Sequence, residues 1–172
     1  RETHTPRHWF PQLFEYANRV GITLLSSVFD EDGVDFLFRL NCPALKISSF
    51  SLTDLALIRK AASTGKPLII SEGMASEEDI CRAAVAVRQA GRNPDDDVAW
   101  LHCVSAYPAP IDEMNLLSRI GHGRVDEDGT ILTVGLSDHS DVRHGSLAAI
   151  VATALGASII ETTHLFSEPK FW

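Results

Sequence analysis

An α/β fold built on a parallel sheet is what this sequence predicts, and three observations predict it. Short apolar, β-branched runs alternate with longer stretches of helical period along the whole chain. Six such runs in 172 residues leave about 29 residues for each strand–helix unit, the size of a βα unit. The balance of 45% hydrophobic and 22% charged residues also suits a globular protein with a real core. Alternation of this kind places helices outside a sheet of parallel strands.

The first predicted element is a helix over 8–20, with no strand before it. Strands are predicted at 21–29, 44–49, 67–71, 98–103, 131–137 and 158–163, where apolar residues run between turn signals. Helices are predicted between them at 31–40, 52–63, 76–90, 110–120 and 142–155. The helix over 76–90 has the clearest ends: Ser76 as N-cap, Glu77 and Glu78 in the first turn, and Gly91 beyond the last. Asp95, Asp96 and Asp97 read as a solvated loop, and Asp126-Glu127-Asp128-Gly129 as a solvated turn. A closed (β/α)8 barrel takes about 250 residues. The chain therefore reads as residues 1–172 of a TIM-type barrel segment that lacks its opening strands. A complete doubly wound open sheet fits the length better, and composition does not choose between them.

Charge and composition exclude several functions. With 15 Lys+Arg against 23 Asp+Glu the net charge is −8, and no basic stripe is present to displace the counter-ions of a nucleic acid. No apolar run approaches the roughly 18 residues of a membrane span, and residues 1–20 do not have the form of a secretory leader. Cys42, Cys81 and Cys103 are odd in number and widely spaced, which argues against a disulfide framework and for a cytoplasmic location.

Parallel α/β folds bind ligands at the carboxyl ends of their strands, so the chemistry is sought there. The six predicted strands end in Ser26-Ser27-Val28-Phe29-Asp30, Lys46-Ile47-Ser48-Ser49, Ser71-Glu72-Gly73-Met74, His102-Cys103-Val104-Ser105-Ala106-Tyr107-Pro108, Ser137-Asp138-His139 and Thr162-Thr163-His164. Lys46 lies in an apolar strand, where an ammonium is costly unless it meets an anion; the alternative is a lysine that snorkels to solvent. Ser137 and His139, two apart, share one face of an extended strand. His139 reads either as a metal ligand or as a hydrogen-bonded structural histidine. His102 and Cys103 read either as core filling or as catalytic groups. His164 is a second histidine near a strand end, and His4, His8, His122 and His144 are taken as surface residues.

Taken in order, these stretches resemble the sialic acid synthase family, N-acetylneuraminate synthase and its legionaminate and pseudaminate relatives. The match runs through Phe29-Asp30, Val34-Asp35-Phe36-Leu37, Lys46-Ile47-Ser48-Ser49-Phe50, Gly65-Lys66-Pro67-Leu68-Ile69-Ile70-Ser71-Glu72-Gly73-Met74, His102 to Pro110, Gly135-Leu136-Ser137-Asp138-His139 and Ala154 to Glu161. The resemblance implies a (β/α)8 barrel of which this chain holds about strands 3–8, without the opening strands or a C-terminal antifreeze-like domain. It implies condensation of phosphoenolpyruvate with an N-acyl hexosamine such as N-acetylmannosamine, giving a nonulosonic acid and phosphate by C–O cleavage. It implies a homodimeric full-length parent, small-molecule substrates, no nucleic acid and no membrane, and a divalent metal, Mn2+ or Mg2+.

By the same resemblance Lys46 supplies charge to the phosphoenolpyruvate anion, and Ser27, Ser49, Ser71 and Ser137 supply donors. Ser105 and Tyr107 line the pocket between the substrates, and Lys46, Tyr107 and His139 form the catalytic set. His139 is the first metal ligand. His164 stands one place late for the second, so it would ligate only through a bulge that restores its direction. The second ring nitrogen of His139 is expected to be held by Asp138 or Glu161. The match departs at Ser27, Ser51 and Glu72, where threonine, an acid and a small hydroxyl residue are usual. This segment alone is expected to be inactive. Two other functions stay open: a catalytically inactive relative serving as a binding or assembly module, and an aldolase-type barrel that uses Lys46 as a Schiff-base nucleophile.

Overall fold

The computed structural model describes residues 5–121, 133–144 and 146–162. Helix α1 (Phe10–Val20) follows a 3-10 turn at Arg7–Trp9 and ends at Gly21, whose φ of 76° closes the helix in the left-handed region. Then come β1 (Ser26–Val28), α2 (Glu31–Arg39), β2 (Leu45–Ile47), α3 (Leu55–Ser63), β3 (Leu68–Ser71), α4 (Glu77–Gln89), the one-turn α5 (Pro94–Asp97), β4 (Val98–His102), β5 (Thr133–Asp138), α6 (Leu147–Ala154) and β6 (Ile159–Thr162).

Side chains start α2, α3 and α4, as Asn93 does the short α5. Asp30 accepts a hydrogen bond from the Gly33 N–H, Asp54 from that of Leu57, and Ser76 with Asp79 forms a reciprocal capping box at α4.

The six strands form one sheet in the order β1-β2-β3-β4-β5-β6, every pair parallel. Consecutive strands are neighbours throughout. A doubly wound sheet reverses its strand order at a switch point, and this sheet has none, so the open-sheet alternative is excluded. The fold is an incomplete (β/α)8 barrel, an arc with helices on its outer side.

Strand alternation divides the sheet into two faces. Val28, Leu45, Ile47, Leu68, Ile70, Val98 and Trp100 pack against Val34 and Leu37 of α2, Leu57 and Ile58 of α3, and Ile80 and Val87 of α4. Val134 and Leu136 continue this face against Ala148 and Ala152 of α6, with Met114 and Ile120. The residues between them, Ser27, Lys46, Ser71, Leu101, Ser137 and Glu161, fall on the concave face. Register aligns Ser27 with Lys46, Ser71 with Leu101, and Ser137 with Glu161.

Several predicted elements change. The strand expected over 21–29 is only Ser26–Val28, because Gly21 still belongs to the helix end and residues 22–25 carry no ladder. The helix expected over 110–120 is instead a 3-10 turn at Ile111–Glu113 and a π turn at Leu117–Gly121. Asn115 lies between them with φ of 47°, which a continuous α-helix does not admit. The loop expected at Asp95–Asp97 is the helical turn α5, capped by the Asn93 side chain. The last helix begins at Leu147 rather than 142, after a 3-10 turn at Val142–His144. The third begins at Leu55 rather than 52, after a 3-10 turn at Ser49–Ser51. Residues 131, 132 and 163 of the predicted strands lie outside the described residues. Among the described residues no helix is long and apolar enough to cross a membrane.

Candidate active site

Lys46 sits mid-strand on β2 with its side chain on the concave face, and only 7% of the residue is exposed. Its Nζ donates to Ser71 Oγ at 2.6 Å, approaches the Ile47 carbonyl oxygen at 3.4 Å, and pairs with Glu161 Oε2 at 3.3 Å. The lysine does not snorkel: it stays inside the arc, where its charge needs a counter-charge. Ser71 is itself buried, at the end of β3, and orients the ammonium.

Beside this pair the ends of β2, β3 and β4 converge on Gly73. Its φ is 42°, and a Cβ there would lie 2.4 Å from Ser49 Cβ and 2.5 Å from Ser105 Oγ. Only glycine lets the chain pass so close to both serines. Ser49 Oγ lies 3.4 Å from Cys103 Sγ. Ser105 Oγ is buried and has no hydrogen-bond partner among the described residues. A buried hydroxyl without a partner costs free energy unless something meets it, which makes it a donor for a ligand oxygen. Ser27 is half-buried and aligned with Lys46 at the next strand.

His139 follows the end of β5 and is 8% exposed. Its Nδ1 lies 2.8 Å from the Val104 carbonyl oxygen, which can only accept, so Nδ1 carries a proton. In the neutral ring Nε2 is then the acceptor, facing the Tyr107 hydroxyl at 2.7 Å and Ser137 Oγ at 3.1 Å. Tyr107 stacks over the imidazole, ring centroids 4.0 Å apart and planes 26° apart. Partial burial raises the Tyr107 hydroxyl above its ordinary value of 10, and neighbouring Cys103 and Glu161 add to the rise.

The expected holders of the His139 ring, Asp138 and Glu161, do not hold it. Asp138 Oδ1 accepts from the Ser140 N–H, and Glu161 faces Lys46. A backbone carbonyl takes the role because the loop after β4 lies against the end of β5. His102 falls on the helix side of the sheet, where its Nε2 donates to the Met114 carbonyl oxygen at 2.7 Å. It is a buried structural histidine, while Cys103 reaches the site through Ser49. His164 lies outside the described residues. Among the described residues no group of three or more His, Cys, Asp or Glu is gathered. His139 is thus a single imidazole donor, with its tautomer already fixed for ligation through Nε2.

The structure therefore brings Lys46, Ser71, Ser49, Ser105, Tyr107, Ser137 and His139 to one mouth of the arc. Sequence reasoning had not placed Glu161 against Lys46. Its period-two position on the last strand puts it on the concave face beside Ser137, but that position alone does not point to Lys46.

The structure thus defines a parallel α/β barrel arc whose mouth is lined by Lys46, hydroxyl groups and His139. The NeuB family model matches residues 1–170, and the chain belongs to this family, the sialic acid synthases. It is 41% identical over 161 residues to the pseudaminic acid synthase of Helicobacter pylori, covering 94% of this chain and 44% of that protein. It is 37% identical over 150 residues to the N,N'-diacetyllegionaminic acid synthase of Legionella pneumophila, covering 87% of this chain and 40% of that one. The chain thus spans less than half the length of these relatives. Among solved structures, the spore coat polysaccharide biosynthesis protein SpsE of Bacillus subtilis superposes with a TM-score of 0.81 at 32% identity, covering 92% of this chain and 42% of that chain. The N-acetylneuraminic acid synthetase of Leptospira borgpetersenii, solved in complex with citrate, superposes with a TM-score of 0.79 at 28% identity, covering 92% of this chain and 52% of that chain.

Proposed function

We propose that the protein carrying this chain condenses phosphoenolpyruvate with an N-acyl hexosamine aldehyde to give a nonulosonic acid and inorganic phosphate. The observation that carries this reading is the buried Lys46 ammonium on the concave face, within 2.6 Å of Ser71 Oγ, at the same mouth as His139. The relatives' names as synthases of pseudaminic and legionaminic acids support it.

In this reading Lys46 binds the carboxylate and phosphate charge of phosphoenolpyruvate, and Ser71, Ser49, Ser105, Ser27 and Ser137 orient its oxygens. Carbon 3 of the enol attacks the sugar aldehyde and forms the C–C bond. Water adds at carbon 2, and phosphate leaves with its bridging oxygen. Tyr107, a phenol protonated at neutral pH, donates a hydrogen bond between the two substrates. With the Tyr107 hydroxyl turned from it toward the substrates, His139 Nε2 would hold a divalent cation, Mn2+ or Mg2+, together with water and substrate oxygens. When bound, that ion supplies Lewis-acid polarisation of the aldehyde. The full-length protein acts as a homodimer in the cytoplasm.

The test is phosphate release by the full-length protein with phosphoenolpyruvate and an N-acyl hexosamine, separately and together. Release that requires both, and that falls by about 10²–10³-fold in Lys46→Met, is the expected result. Borohydride trapping of a keto acid on Lys46 would instead indicate imine chemistry and overturn the reading.

A further inference from the structure

We infer that Glu161 is an internal counter-ion that closes the Lys46 anion site, and that an anionic substrate binds there by displacing it. The inference rests on the reading of Lys46 as an anion site. Lys46 lies on β2 and Glu161 on β6, with three strands between them in the sheet order, so their contact spans the concave face rather than following a ladder. The ammonium has three N–H groups. One goes to Ser71 at 2.6 Å, one meets the Ile47 carbonyl only at a long 3.4 Å, and the remaining partner is the Glu161 carboxylate at 3.3 Å.

The two ends of the pair differ in freedom. The Lys46 side chain is 9% exposed and held in place, whereas that of Glu161 is 46% exposed and can turn into water at small cost. A buried ammonium cannot lose its counter-charge without a replacement. A phosphate or carboxylate oxygen is such a replacement, and phosphate brings more charge. If Glu161 stayed, two anions would face each other across one cation, so binding is an exchange. Register holds Glu161 beside Ser137, whose Oγ lies 3.1 Å from His139 Nε2, so the released carboxylate remains within the site.

The experiment is titration of the full-length protein with inorganic phosphate by calorimetry, comparing wild type with Glu161→Gln, Glu161→Asp and Lys46→Gln. Glu161→Gln removes the competing charge, and its dissociation constant for phosphate falls by about two- to fivefold, the worth of a half-exposed ion pair. Glu161→Asp keeps the charge one methylene shorter and shows a smaller gain; it also carries the test should Glu161→Gln fold poorly. Lys46→Gln binds no phosphate. Unchanged or weaker phosphate binding in both Glu161 variants, or no saturable binding in any form, overturns the inference. Should phosphate bind as described while phosphoenolpyruvate yields no product with any N-acyl hexosamine, the proposed reaction falls and the counter-ion exchange stands.

Discussion

The two faces of the sheet are built from the same strands by opposite rules. Toward the helices every strand presents branched or aromatic apolar side chains, and Leu45, Ile47, Ile70 and Trp100 are all less than 2% exposed. Toward the concave side the same strands carry Lys46, Ser71, Ser137 and Glu161 one residue away. The helix-facing side holds the arc together by burial. The concave side contributes little to that burial and holds charge and hydroxyls in fixed positions. Alternation lets one short strand serve both ends: burial of Leu45 and Ile47 on either side fixes the Lys46 backbone, and Ser71 orients its ammonium.

The largest effect should come from breaking the helix-facing side. Trp100→Ala removes the bulkiest of its buried side chains and should cost about 3–5 kcal/mol in urea unfolding of the full-length protein. A loss under about 1 kcal/mol would mean that the two faces do not divide the work in this way. A smaller change should follow on the concave side. Lys46→Met leaves the half-exposed Glu161 and the Ser71 hydroxyl without their partner but also removes a buried ammonium, and stability should move by about 1 kcal/mol or less, while phosphate binding disappears.

The smallest effect lies at the rim, which serves neither face. The Asp141 carboxyl is drawn down to about 2, first by the Arg143 side chain and then by the Arg143 N–H. A depressed carboxyl adds stability above its unfolded value of 3.8, and that contribution is lost as pH falls toward 2. In Arg143→Ala the NMR titration midpoint of Asp141 should rise toward 3.8 while binding at the mouth stays as it was. A midpoint that does not move would assign the shift to the backbone alone.

The sequence revealed the strands and most of the concave set, because a period of two and a period of 3.6 are local properties, whereas their order as a barrel came only from the family resemblance. Ser137 and His139 could be read as sharing a face, and Lys46 as a charge out of place among Leu45 and Ile47. Element ends were less legible. Gly21 serves as a helix terminator although it opens an apolar run, and Asn115 breaks a segment whose apolar spacing looks helical. Two features of the site were hidden for a deeper reason. The acceptor for His139 is the carbonyl of Val104, a group every residue possesses, so residue type gives no sign of it. The pairing of Lys46 with Glu161 depends on the curvature of the sheet, which no spacing along the chain encodes.

The order of strands also has a consequence for how the protein is made. Each ladder joins a strand to the one synthesised just before it, so every new βα unit emerging from the ribosome finds its template already in place. Such a sheet can lengthen in step with translation, without a search among distant partners. The bond between Lys46 and Glu161 is the exception. Its halves come from the second strand and the last, and the ammonium must wait through four further strands for its carboxylate. Fluorophores placed on those two strands would therefore report the moment at which a nascent chain has wound its arc as far as β6.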